Sequence, residues 1–350
     1  MAGTLPREGL TLEALVAPFR LTALQPLLTG PLLLVLYRYP KLLAKAVPAG
    51  ALQQLRSARS ITALSALFAF GLLRKVNKTL SKLVLNNFTT DKSWDWSKEI
   101  IVITGGSGGI GGLMTQMFAK QDITVIVLDI SPPSFLSNFP CVHFYQADIT
   151  SSEKIHAVAE TIRAEHGEPT VLINNAGIGT NKNILDETEA EMRRVFDVNI
   201  IAHFLLVKEF SPAMIKRNHG HIVTIASMAS FMVHAQNVDY TCTKAGALAF
   251  HEGLAQELKS RYNADMVRTT IVHPTWVRTP LIASLIAKND FTEFTLEPET
   301  VAAAVVKQVL SGYGAQLVLP GRFTLVPLIR GMPSWLQEFM RNGVANVIKT

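Results

Sequence analysis

Ile100-Ile101-Val102-Ile103-Thr104-Gly105-Gly106-Ser107-Gly108-Gly109-Ile110-Gly111 is the stretch whose reading decides the fold. Its opening residues are apolar without interruption and are bounded by Glu99 and Thr104. That predicts a strand buried on both faces, as in a parallel sheet. After the glycines, Leu113, Met114, Met117 and Phe118 recur at helical spacing. The glycines therefore join a strand to a helix. In that setting Gly105 is expected to make the tight turn and Gly109 to let a pyrophosphate approach the backbone. Gly111 is expected to let the helix pack closely, with the helix N-terminus facing the phosphates. The same glycines without a strand before them and a helix after them would be only a flexible loop.

A second apolar run, Thr124 to Leu128, ends at Asp129. A carboxylate there would bind the hydroxyls of an adenosine ribose and repel a 2′-phosphate. Gly108 and Ile130 supply no positive charge to offset that repulsion. The reading favours NAD, with NADP as the other option.

Further along, Leu172-Ile173-Asn174-Asn175-Ala176-Gly177 reads as a strand end running into a turn. Asn199 sits in a later helix, and the strand His221 to Ile225 delivers Ser227. Tyr240 and Lys244, at i and i+4, share one helix face. Alone, such a pair is also what an exposed helix face carries. With the other groups it suits alcohol oxidation, which needs a base for the hydroxyl proton and an acceptor for a hydride. A tyrosine has a pKa of about 10, and bringing it to about 7 takes roughly 4 kcal/mol. A neighbouring ammonium and an oxidised nicotinamide both favour the phenolate. A base poised near working pH is the efficient one. Ser227 can donate to the substrate oxygen where charge develops.

With these residues in place, the chain resembles the short-chain dehydrogenase/reductase family. It carries T-G-x-x-x-G-x-G at Thr104 to Gly111, N-N-A-G at Asn174 to Gly177, the helix asparagine at Asn199, the serine at Ser227 and Y-x-x-x-K at Tyr240 and Lys244. The resemblance covers roughly residues 97 to 320. It implies an α/β doubly wound parallel-sheet Rossmann fold. It implies catalytic roles for Asn199, Ser227, Tyr240 and Lys244, with Lys244 also holding the nicotinamide ribose and Asn199 a proton-relaying water. It implies a cofactor held by Gly105, Ser107, Gly109, Ile110, Gly111, Asp129, Asp148, Ile149, Asn175, Ala176, Gly177, Tyr240, Lys244, Val277 and Thr279. Asp148 matches the family's adenine contact. Two departures stand out. The family's P-G after the sixth strand is Pro274-Thr275 here. The connection Ser131 to Pro140, with Pro132, Pro133 and Pro140, is too short and proline-rich for the helix usual between strands two and three.

The chain has 350 residues, more than one such domain needs, and the excess is N-terminal. We expect a hydrophobic, basic, helical membrane-associating region at 1–95 and the dehydrogenase domain at 96–350, with the boundary in Asp91 to Glu99. Leu21 to Tyr37 is uncharged between Arg20 and Arg38, and Ser60 to Leu73 is uncharged before Arg74 and Lys75. The first is at the lower edge of spanning length and is weakened by Pro26, Gly30 and Pro31. The two read as a hairpin or as interfacial helices with basic flanks that suit anionic headgroups. The basic balance of the chain, 33 Lys and Arg against 27 Asp and Glu, comes from this region. No nucleic-acid surface is therefore implied. Two distant cysteines, Cys141 and Cys242, argue against a disulfide framework or a metal site. Asn77-Lys78-Thr79 and Asn87-Phe88-Thr89 read as chance sequons on a cytosol-facing protein.

An N-terminal extension of this kind resembles the retinol and hydroxysteroid dehydrogenase branch found on the endoplasmic reticulum and lipid droplets. Met228, Phe231, Met232, Trp276 and Leu281 lie beside the catalytic positions, and the markedly apolar stretch Thr279 to Phe294 resembles the family's substrate loop. Trp335, Leu336, Phe339 and Met340 make one helical face that covers the pocket, touches lipid or packs on the core. The expected substrate is a lipophilic alcohol or its carbonyl: sterol, retinoid, fatty alcohol or polyketide. The alternatives are an NADP-dependent ketoreductase of a secondary-metabolite pathway and a non-catalytic lipid-droplet or membrane protein retaining the fold. A homodimer is compatible with each.

Overall fold

Before the first strand the chain is helical. The computed structural model describes residues 7–9, 11–288 and 291–348, and the chain divides into two compact units, 1–84 and 85–350. The first contains α1 (Leu12–Leu21), α2 (Pro26–Arg38), α3 (Pro40–Leu43), α4 (Ala49–Leu55) and α5 (Ala58–Leu85). Thr11 caps α1 by accepting from Ala14 N. The uncharged run Leu21–Tyr37 does not form one helix. Its helix begins at Pro26, whose missing N–H removes no bond at the first helical position. α1 and α2, bent by 44°, are together long and apolar enough for a broken span or a re-entrant loop. The second run, Ser60–Leu73, lies inside α5. Small residues let these helices approach: a Cβ on Gly71 would lie 2.5 Å from Leu24 O, and one on Gly30 would lie 2.9 Å from the Phe68 ring.

In the second unit the apolar runs become strands. They are β1 (Ile100–Thr104), β2 (Thr124–Asp129), β3 (Val142–Gln146), β4 (Val171–Asn174), β5 (Gly220–Ile225), β6 (Val267–Pro274) and β7 (Ala315–Leu319). They form one parallel sheet in the order β3-β2-β1-β4-β5-β6-β7. Between them run α6 (Gly109–Ala119), α7 (Ser152–His166), α8 (Glu189–Phe196), α9 (Ala202–Arg217), α10 (Val238–Ser260), α11 (Ala283–Ile286) and α12 (Pro298–Leu310), with α13 (Ser334–Val344) after β7. Helices cover both faces, which is why the strands read as continuous apolar runs rather than alternating ones. Ile100 and Val102 point into one core layer with residues of α7, α9 and α10. Ile101 and Ile103 point into the other, with α6 and α12. The strand order reverses between β2-β1 and β4, so the carboxyl ends of β1 and β4 open a crevice. From Glu189 to Arg217 the chain also has the length and composition of a span, but 44% of its apolar window is buried, and α9 contributes residues such as Leu206 and Phe210 to this core.

The connection between β2 and β3 holds only a 3-10 turn, Leu136–Asn138, as the prolines predict. The second unit begins at Leu85, ahead of the boundary expected at Asp91 to Glu99. The reason is a strap of hydrogen bonds. The buried Arg268 guanidinium donates to Asn86 O (3.1 Å), Thr89 O (3.2 Å) and Asp265 O (3.2 Å). Asn87 Nδ2 donates to Asp265 O, which commits one sequon asparagine to the fold. His219 lies between Asp91 (2.6 Å) and Glu99 (3.3 Å), and its pKa is raised by Glu99 first and Asp91 second.

Candidate active site

The crevice is built from the glycine turn outward. Gly105 stands at φ +63°, where a β-carbon would also press on Ala176 Cα at 3.0 Å. A Cβ on Gly111 would fall 2.0 Å from Gly105 O, so this glycine lets α6 close onto its own turn. α6 has no side-chain cap, which leaves its first-turn amides free to meet an anion. A Cβ on Gly109 would meet nothing nearer than Thr279 at 3.8 Å, so the space above the turn is open. These features fit a dinucleotide diphosphate. Thr104, flagged by the sequence only as part of a motif, stitches the crevice together. Its Oγ1 accepts from Asn175 N (3.0 Å) and Ala176 N (3.1 Å), while Asn175 Nδ2 donates to Thr104 O and Gly105 O.

At the end of β2, the Asp129 carboxylate accepts from Ser107 N (3.0 Å) and Ile130 N (2.7 Å), and Ser107 Oγ donates to Ser131 O. The carboxylate thus stands beside the glycine turn. Asp148, two residues past the end of β3, accepts from Thr150 Oγ1 (2.7 Å) and N (3.1 Å), and these bonds lower its pKa. Ile149 beside it is buried.

One cleft gathers Ile110, Asn175, Gly177, Ser227, Tyr240, Lys244, Val277 and Thr279. Tyr240 and Lys244 come from the first turns of α10, and Lys244 Nζ lies 5.4 Å from the Tyr240 ring centroid. Lys244 is buried and donates to Ile225 O at 2.9 Å. Burial pushes its pKa down to about 8. Burial pushes Tyr240 up to about 12, against a hydrogen bond from Ser227 that lowers it. Ser227 caps the 3-10 turn Met228–Ser230 by accepting from Ala229 N at 3.1 Å. His273 Nδ1 lies 3.1 Å from Ser227 O, and burial keeps this imidazole neutral, with a pKa of about 4.

Asn199 stands behind the cleft and does not line it. It occupies a π-helical turn, Asp197–Ile201, between α8 and α9, a distortion that often marks functional positions. Both polar atoms of its amide are bonded: Oδ1 accepts from Ile178 N (2.9 Å), and Nδ2 donates to Ile178 O (2.8 Å) and Thr243 Oγ1 (3.1 Å). It therefore clamps the turn after β4 onto α10.

With this geometry in view, comparison with known proteins gives a consistent result. Residues 99–290 match the family profile described as short chain dehydrogenase. The chain belongs to the short-chain dehydrogenase family. It is 50% identical over 202 residues to Dehydrogenase RED2 of Cochliobolus heterostrophus, covering 57% of this chain and 76% of that one. It is 32% identical over 240 residues to Estradiol 17-beta-dehydrogenase 11 of Rattus norvegicus, covering 66% and 78%. Retinol dehydrogenases are also among its relatives, so it resembles the retinol and hydroxysteroid branch. A solved 4-hydroxyisoleucine dehydrogenase complexed with NADH superposes with a TM-score of 0.54 at 25% identity, over 63% of this chain and 96% of that one.

This dehydrogenase lines the rest of its cleft with Met228, Trp276, Leu281 and Ile282, and with Gly179, Asn181, His234 and Asn237. Of the apolar residues expected there, Phe231 is instead buried against His273, with ring centroids 4.6 Å apart, and Met232 is not on the wall. His234 and Asn237 were not singled out by pattern, although both lie between Ser227 and Tyr240. The missing glycine after Pro274 is tolerated because Thr275 needs no positive φ, and its N–H bonds Leu319 O at 2.9 Å. The expected substrate loop includes residues 289 and 290, which lie outside the described residues.

Proposed function

We propose that this enzyme interconverts a lipophilic alcohol and its ketone or aldehyde, of sterol, retinoid, fatty-alcohol or polyketide class, with Tyr240 as general acid and base. The observation that carries the reading is the single cleft in which Ser227, Tyr240 and Lys244 meet a wall of Met228, Trp276, Leu281 and Ile282. Apolar walls with a few convergent polar groups suit a lipophilic ligand. A nicotinamide cofactor, when bound, supplies the hydride acceptor or donor. Gly105, Gly109 and Gly111, with the first turn of α6, would hold its diphosphate; Asp129 would hold its adenosine ribose; Val277 and Thr279 would face its nicotinamide end. Ser227 Oγ donates to the substrate oxygen, and the Tyr240 hydroxyl exchanges the proton. Asn199 acts as a positioning residue. Burial makes the demand on Tyr240 larger than an ordinary tyrosine would: from about 12 to about 7 is roughly 7 kcal/mol at about 1.4 kcal/mol per pKa unit. Lys244 beside it and the charge of the bound cofactor are the groups able to meet that demand.

NAD is the preferred cofactor in this reading. The support is Asp129 beside the glycine turn and the NADH complex of one structural neighbour. We assign the first unit to a membrane, at the endoplasmic reticulum or a lipid droplet, with the catalytic unit in the cytosol. Its outward apolar residues, such as Leu27, Tyr37 and Leu73, would otherwise face water.

The test is purification in detergent and an absorbance screen at the nicotinamide band, with both cofactors and a panel of lipophilic and small polar alcohols. Turnover confined to small polar alcohols would overturn the substrate class. Removing residues 1–84 is expected to release the protein into the soluble fraction with cofactor binding retained. Full-length protein that is wholly soluble without detergent would overturn the membrane assignment.

A further inference from the structure

The last part of the catalytic unit carries apolar side chains on two sides. In α13, Leu336 and Met340 are partly buried, while Trp335 and Phe339, at i and i+4, are 72% and 73% exposed. The turn Val326–Gly331 just before it adds Leu328, and Leu325 precedes that at 71% exposed. Single exposed apolar residues are ordinary on a protein surface, but a run of them containing a tryptophan and a phenylalanine is not. From residue 321 to 348 the described chain has three arginines, Arg322, Arg330 and Arg341, against one acidic residue, Glu338. Arg341 of α13 is paired with Glu338 at 3.0 Å, so the excess of positive charge comes from Arg322 and Arg330 in the turns before the helix. Protruding aromatic and leucine side chains with such an excess beside them suit an anionic lipid interface.

This segment is seated beside the cleft. Ile348 packs with Ile282 and Leu285, joined by Trp276. His234 Nδ1 lies 3.1 Å from Val344 O. Ile282, Trp276 and His234 all line the cleft. Elsewhere on the rim, the loop carrying Gly179 and Asn181 continues into Leu185, which is 93% exposed.

We propose that Leu325, Leu328, Trp335 and Phe339 dock the catalytic unit on an anionic phospholipid surface, as a contact separate from the N-terminal helices. In doing so they open the cleft toward lipid, so that substrate enters from the bilayer. The entry role rests on the lipophilic-substrate reading. The docking does not.

The four tryptophans, Trp94, Trp96, Trp276 and Trp335, all lie in the second unit, so emission reports that unit alone even in the anchored full-length protein. Full-length protein is reconstituted in phosphatidylcholine–phosphatidylserine vesicles with plain or brominated acyl chains. Brominated lipid is expected to quench part of the emission, and Trp335→Phe is expected to remove the quenched part. Phe339→Asp, with Trp335 kept as reporter, is expected to lose most of it. Equal quenching in wild type and Trp335→Phe overturns the proposal. So does a Trp335 blue shift that depends on protein concentration without vesicles, which would mean that a second copy covers the face. For entry, Phe339→Asp is expected to raise KM at least tenfold for a vesicle-borne substrate and to leave KM unchanged for a short water-soluble alcohol. Quenching with no such split overturns the entry role alone. Turnover confined to polar alcohols would instead overturn the substrate reading, whatever the quenching shows.

Discussion

Lys244→Met isolates the energetic consequence of burying an ammonium in the cleft. The lysine is displaced from an ordinary 10.5 to about 8 by burial. The sign follows from proton counts. Between about 8 and 10.5 the unfolded chain holds a proton that the folded chain has released, so stability rises with pH across that window. Below pH 8 the burial penalty is present in full; toward pH 10.5 it vanishes. At about 1.4 kcal/mol per pKa unit, wild type gains about 2.5 kcal/mol between pH 7 and pH 10 from this group alone. Methionine has nearly the same length and does not titrate. Its loss of the bond to Ile225 O is an offset of about 1–3 kcal/mol, independent of pH. Tyr240, raised to about 12, titrates above this range in the folded state of both proteins. The measurement is thermal unfolding of cofactor-free protein in mild detergent at pH 7 and pH 10. Relative to wild type, the variant's midpoint is expected to fall by about 5–10 °C on going from pH 7 to pH 10. A difference that stays flat with pH, or widens in the other direction, would refute the reasoning that burial is what moves this lysine.

Tyr240→Phe is expected to lower turnover by at least about 100-fold with NADH binding retained; activity above about one hundredth of wild type would remove the general acid-base assignment. Asn199→Ala strips three hydrogen bonds and leaves Ile178 N and O unpaired, so a loss of about 2–4 kcal/mol in denaturant unfolding is expected, with kcat reduced more than KM. Gly111→Ala places a β-carbon 2.0 Å from a backbone oxygen that has little room to move, so NADH affinity measured by fluorescence is expected to drop at least tenfold. Unchanged affinity would mean that the glycine turn is not the cradle. Asp129→Ala with Ile130→Arg is expected to shift the ratio of catalytic efficiencies toward NADP, and wild-type enzyme already preferring NADP would end the NAD reading.

What the sequence determined by itself is what short-range pattern encodes. The run Ile100–Ile103, the glycines after it and the helical spacing of Leu113 to Phe118 specify β1, its turn and α6 locally, because both periodicities are properties of a few consecutive residues. The four-residue spacing of Tyr240 and Lys244 guarantees a shared helix face, and the prolines of the β2–β3 connection forbid a long helix. The tertiary structure decided everything that depends on neighbours from far along the chain. It set the limit of the catalytic unit at Leu85, because Arg268 and His219 reach back to residues 86–99. It turned Phe231 into the core and brought His234 and Asn237 to the cleft. It made Asn199 a buried clamp in a π-turn rather than a cleft residue. It also moved Tyr240 up and Lys244 down, where spacing alone suggested only mutual assistance. A side chain's proton affinity is set by how much water is excluded around it, and that exclusion is done by residues no local pattern can enumerate.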